Sequence, residues 1–80
     1  MSDEDILRRI GQLADEERDL EGSHVGDGLS GEDQGRLRSI HVSLDQCWDL
    51  LRQRQARRDA GRDPDEAQVR PESVVEGYRQ

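Results

Sequence analysis

The chain has 80 residues, of which 30% are apolar and 39% charged, with no Phe, one Trp and one Tyr. A chain this short makes at most one small domain, and so few apolar residues form a core only when they are gathered on one stripe. Acids outnumber bases 19 to 12, for a net charge of -7, which argues against general binding to nucleic acid or anionic membranes because phosphate contacts demand a cationic surface.

Ser2, followed by Asp3, Glu4 and Asp5, starts a helix with a serine cap and carboxylates at the positive end of the helix dipole. Behind it Ile6, Ile10, Leu13 and Leu20 recur at intervals of four, three and seven, with Glu17 in the missing place. That spacing lays the apolar side chains on one narrow stripe, with Glu4–Arg8 and Asp5–Arg9 pairs expected on the wet side. The first helix is predicted over residues 3–21. Four of the eight glycines then fall in GSHVGDGLSG, which reads as a connecting loop over 22–30 because each internal Gly costs a helix about 1 kcal/mol relative to Ala. Val25 and Leu29 are candidates to tuck this loop onto the hairpin.

Ser30, with Glu32 and Asp33 behind it, repeats the start signal, and Leu37, Ile40, Leu44, Cys47 and Leu51 then alternate by three and four. The second helix is predicted over 31–60, with Gly61 as its left-handed terminator. Trp48 lies at the edge of this seam, on the same side as His41. Asp63, Pro64, Asp65 and Glu66 make a third start signature, and Pro71 cuts it short, so one or two helical turns are expected over 64–69 and an extended tail after them. The fold class is therefore an all-α, antiparallel two-helix coiled-coil hairpin over 1–61, with a short helical turn and flexible tail over 62–80. Antiparallel pairing sets Asp3, Glu4 and Asp5 beside the arginines of the second helix, and such exposed pairs select orientation more than they drive folding.

The interaction seam is read as Ile6, Ile10, Leu13, Leu20, Leu37, Ile40, Leu44, Cys47, Trp48 and Leu51. Leu7, Leu50, Trp48 and Tyr78 lie off its centre and offer a second interface, so self-association of two hairpins into a four-helix bundle, or a protein partner, is expected. Candidate partner contacts are Arg52, Arg54, Arg57 and Arg58, together with Val74, Val75 and Tyr78, which are expected to dock on a partner or on the hairpin. The four arginines also support the alternative of a transcription-associated or nucleic-acid-associated accessory factor, although no aromatic residue is interleaved with them and Asp59, Asp63, Asp65 and Glu66 follow closely.

Sites for chemistry are weak. Cys47 and His41 are six residues apart, about 240° around a helix, so they point to different sides and Cys47 is a packing residue. The row His41, Asp45, Asp49 has the i, i+4 spacing of helical metal ligands, but a solvated or salt-bridged face is the commoner meaning of such a row, and no metal is assigned. Asp15, Glu16, Glu17, Asp19 and Glu21 have no pocket to shift their acidity. GDGLSG follows a helix rather than a strand, so it is no phosphate loop, and no cofactor and no catalytic residue is assigned. A single Cys, an acidic start without a secretion signal and the lack of a ~20-residue apolar run point to a soluble, cytoplasmic protein.

The segment LDQCWDLLRQRQARRDAGRDPDEAQVRPESVVEGYRQ, residues 44–80, resembles a small actinobacterial family known as a domain of unknown function, and MSDEDILRRIGQLADEE is similar to its N-terminal helix. The resemblance implies a short helical protein with no established activity, and it carries over no catalytic or binding residue. The expected role is a non-enzymatic protein-interaction or regulatory module.

Overall fold

The helices begin at two serines. Ser2 Oγ accepts a hydrogen bond from the Asp5 N–H at 3.2 Å, and the Asp5 carboxylate accepts one from the Ser2 N–H at 3.2 Å, a reciprocal capping box with Asp in the place usually held by Glu. Hydrogen bonds to its carboxylate, from the Ser2 N–H first and then from the Ser2 side chain, hold the Asp5 carboxyl below its ordinary range. Ser30 Oγ likewise accepts from the Asp33 N–H at 3.1 Å. In the computed structural model, which describes residues 2–22, 28 and 30–75, the two caps launch α1 over Asp3–Gly22 and α2 over Gly31–Asp59. On the wet side of α1, Arg8 reaches Asp5 at 3.5 Å, one turn back by three residues rather than the four expected of a Glu4–Arg8 pair.

The end of α2 is equally well specified. The Arg62 N–H bonds the Arg57 carbonyl at 2.7 Å and the Gly61 N–H bonds that of Arg58 at 3.1 Å, with Gly61 at φ 72°. This is a Schellman closure, and it requires the left-handed conformation that Gly adopts without strain. Gly61 thus terminates the helix as its position in the sequence implied.

The two helices run antiparallel. Asp3 meets Arg54 and Arg58 at one end, while Glu16 meets Arg36 and Glu17 meets His41 toward the other. Ile6, Leu13, Ile40 and Leu50 are buried, and Ile10, Leu20, Leu37, Leu44, Cys47 and Leu51 are half-buried beside them. Leu50, expected on an outer face, is instead enclosed, because Ile6 of α1 and Val69 of the C-terminal segment both border the hollow it lines. Val25, Leu29 and Tyr78 lie outside the described residues.

The C-terminal segment forms a third layer. A 3-10 turn over Pro64–Glu66 is capped by Asp63, whose carboxylate accepts from the Asp65 N–H at 2.9 Å. Residues 67–71 then continue without helical structure to α3 over Glu72–Val75, which opens on the Pro71 carbonyl. The segment doubles back along α2, so that Glu66, Gln68, Arg70 and Glu72 meet Arg57, Gln53, Asp49 and Arg38 in turn. Two expectations are corrected here. The helical turn ends at Glu66 rather than 69, and the tail expected to run extended after Pro71 turns helical over Glu72–Val75. Val75, expected to dock on a partner or on the hairpin, is 0% exposed because α3 tucks it onto the hairpin.

This layer is fastened at Asp49, which is also 0% exposed. Arg70 Nη2 donates to Asp49 Oδ1 at 2.6 Å, while Arg70 Nε and Gln53 Nε2 each donate to Oδ2 at 2.9 Å. Gln53 and Gln46 also donate to the Gln68 and Arg70 carbonyls, at 2.7 and 3.2 Å, satisfying backbone groups that have no ladder of their own. Asp49→Ala should therefore destabilise the fold by about 2–3 kcal/mol in chemical denaturation, the cost of removing the acceptor of several charge-assisted bonds. It should also speed limited subtilisin cleavage within residues 67–70, while a variant as stable and as protease-resistant as wild type would show that the strap is held elsewhere.

Candidate functional site

An open groove of about 640 Å³ lies where α1 begins, bordered by Asp3, Leu44, Asp45, Trp48, Leu51, Arg52, Gln55 and Arg58. Leu44, Trp48, Leu51 and Gln55 follow one another at intervals of four, three and four, one side of α2. Leu44 and Leu51 are half-buried, whereas Trp48 is 52% exposed. The seam residues thus divide: Ile6, Leu13 and Ile40 are enclosed within the chain, and Trp48 presents about half of its surface at the seam's edge. Leu7 and Val74 are also exposed.

The arginines offered as partner contacts have different fates. Arg54 is buried, which corrects its assignment as an outward contact: its Nε donates to Asp3 Oδ1 at 2.5 Å, and its Nη1 to Asp65 Oδ1 at 2.9 Å and to the Pro64 carbonyl at 3.2 Å. Arg58 pairs with the second Asp3 oxygen at 2.8 Å, and Arg57 with Glu66 at 3.4 Å. Arg52 is exposed at the groove's edge. Hydrogen bonds from Arg54 first, then from Arg58, hold the Asp3 carboxyl below its ordinary value of 3.8, and those that Arg54 donates to Asp3 first, then to Asp65, raise the pKa of its guanidinium.

A carboxyl whose pKa is lowered by folding contributes stability above its unfolded value and loses it as pH falls through the folded one. The stability difference between wild type and Asp3→Asn should therefore be full near neutral pH and shrink once pH drops below the ordinary 3.8. Denaturation curves over an acid series check this; a difference that persists undiminished in acid would mean that the charge of Asp3 is not what the arginines read.

Cys47 borders a small, mostly apolar hollow with Ile6, Arg9, Ser43, Gln46, Leu50 and Val69. Burial pushes its thiol pKa up, against a smaller downward pull from Arg9, so little reactive thiolate is present at neutral pH. Alkylation by iodoacetamide should be markedly slower in the folded protein than in denaturant, and equal rates would show an accessible thiol.

The row His41, Asp45, Asp49 does not act as a unit. Asp49 is taken up by Arg70 and Gln53, Asp45 is buried at the groove, and His41 turns across the hairpin, where its Nε2 is hydrogen-bonded to Glu17. Glu21, a residue given no role in the sequence, comes to the same place: among the described residues, Glu17, Glu21 and His41 bring donor atoms within 4.8 Å of one another. The i, i+4 spacing of the two glutamates was visible beforehand; the imidazole opposite them depends on the hairpin register.

A family model described as a protein of unknown function (DUF2630) matches residues 2–80. The chain belongs to this family. Uncharacterised proteins of Mycobacterium tuberculosis and Mycobacterium bovis are each 50% identical to it over 78 residues, covering 96% of this chain and 90% of theirs. No solved structure matches it. Among the described residues no helix is long and apolar enough to cross a membrane.

Proposed function

We propose that this protein is a non-enzymatic interaction module that self-associates through the Leu44–Trp48–Leu51 side of α2, two hairpins meeting as a four-helix bundle. The observation that carries the reading is Trp48, 52% exposed between two half-buried leucines on an open groove. A large aromatic with part of its surface in water beside an apolar hollow is the usual anchor of a protein interface. The borders of the groove favour a second copy as occupant. Asp45 and Arg52 border it beside the internally paired Asp3 and Arg58, so one surface carries both signs, as a two-fold contact with itself requires.

The arginines support this reading better than contact with nucleic acid. Arg54 is buried, and Arg57 and Arg58 each face a carboxylate of their own chain, so using them on phosphates would break bonds that hold the hairpin and strap together.

Light scattering over a dilution series should show a mass rising toward twice 9.1 kDa, with Trp48 fluorescence shifting to the blue as the dimer forms. Trp48→Ala should leave helicity intact and weaken association by about 30-fold, the effect of losing an anchor of roughly 2 kcal/mol. A mass fixed at that of one chain at all concentrations, or association indifferent to Trp48, would sink the proposal.

A further inference from the structure

We propose that Glu17, Glu21 and His41 form a binding site for a divalent transition-metal cation of the zinc class, which cross-links α1 to α2. The three donor atoms lie within 4.8 Å of one another. Ligands about 2.0–2.2 Å from a zinc ion stand roughly 3–3.5 Å apart, so rotamer adjustments of about an ångström, without movement of either helix, bring them onto one ion. The set is chemically mixed: imidazole with two carboxylates suits zinc, cobalt or nickel, whereas calcium and magnesium favour oxygen alone. With three ligands from the chain, the remaining positions are left to water.

Two features of the surroundings favour a cation. Glu17 and Glu21 are one turn apart on the same side of α1, and like charges at that spacing repel. They also lie in the C-terminal part of a helix with no basic residue in its last turn, so the negative end of the helix dipole adds to their potential. The hydrogen bond between His41 and Glu17 accounts for two of the three groups. It leaves Glu21 as a second carboxylate that this bond does not use. A cation would exchange that bond for three coordinate bonds, require His41 in its neutral form, and join residues 17 and 21 to residue 41 across the hairpin.

Calorimetric titration of the full-length, chelator-treated protein with Zn²⁺ should show one ion bound per chain, and Tm should rise with Zn²⁺ concentration by mass action. Glu21→Gln, an isosteric change at an exposed side chain, should keep the metal-free Tm and lose at least about tenfold in affinity, and His41→Gln, which also gives up the imidazole bonded to Glu17, should lose affinity by at least as much. With Co²⁺ the visible spectrum should carry nitrogen and oxygen ligand-field bands without the thiolate charge-transfer band that Cys47 would add. Absence of binding, a thiolate band, or affinity unchanged in both variants would overturn the site. Because the groove of Trp48 is built from other residues, the Trp48→Ala variant, titrated at a temperature where the metal-free monomer is fully folded, should bind Zn²⁺ as wild type does, which separates failure of this inference from failure of the dimer.

Discussion

The arrangement depends on one buried carboxylate. Asp49 is wholly removed from solvent, and a lone charge there would be prohibitive unless each oxygen met a donor. Arg70 supplies two donors and Gln53 a third. A pair of this kind contributes modestly to net stability, since desolvation offsets much of its attraction, but removing either side leaves the other badly placed. Its effect is to fix position. Once Arg70 is seated on Asp49, residues 67–70 have one place to lie along α2, their carbonyls come within reach of Gln46 and Gln53, and Val75 is drawn into the core.

The same logic extends to the arginine-rich end. A guanidinium is planar, permanently charged and able to donate in several directions at once. Arg54 uses that capacity to join the first turn of α1, through Asp3, to the 3-10 turn after α2, through Asp65 and the Pro64 carbonyl. Two separate pieces of chain thus converge on one side chain of a third. For a protein with so little apolar material this is an economical closure, and it explains how a strongly acidic chain concentrates bases on one helix without presenting a uniformly cationic surface.

Much of this fold was legible in the sequence, because helix caps and apolar periodicity are local signals. Ser2, Ser30 and Gly61 set their helix ends within a residue of the expected positions, and the attraction between the start of α1 and the arginines gave the antiparallel sense. The strap was not legible. Its landing strip, Arg38, Gln46, Asp49, Gln53 and Arg57, repeats at helical spacing and is entirely polar, which in a pattern of hydrophobicity is indistinguishable from a solvated face. Only pairing at long range shows otherwise. The same blindness placed Arg54 among the outward contacts, and it linked His41 to Asp45 and Asp49 by spacing along one helix when its neighbours in space, Glu17 and Glu21, belong to the other.

The two proposed binding events share no residue, and they couple through folding only where the metal-free monomer is partly unfolded. A second copy at the groove and a metal at the glutamates both bind the folded hairpin and not the unfolded chain, so each raises the folded population by its own concentration over its dissociation constant. In a hairpin with a small core that population is itself a variable, and whatever fraction is unfolded weakens the apparent affinity of both ligands. Filling either site removes part of that loss for the other. Metal would therefore tighten association, and association would tighten metal, by the same factor. The coupling vanishes when the apo monomer is already fully folded, so its size measures how far the Asp49 and Arg54 closures alone carry the chain toward a stable structure.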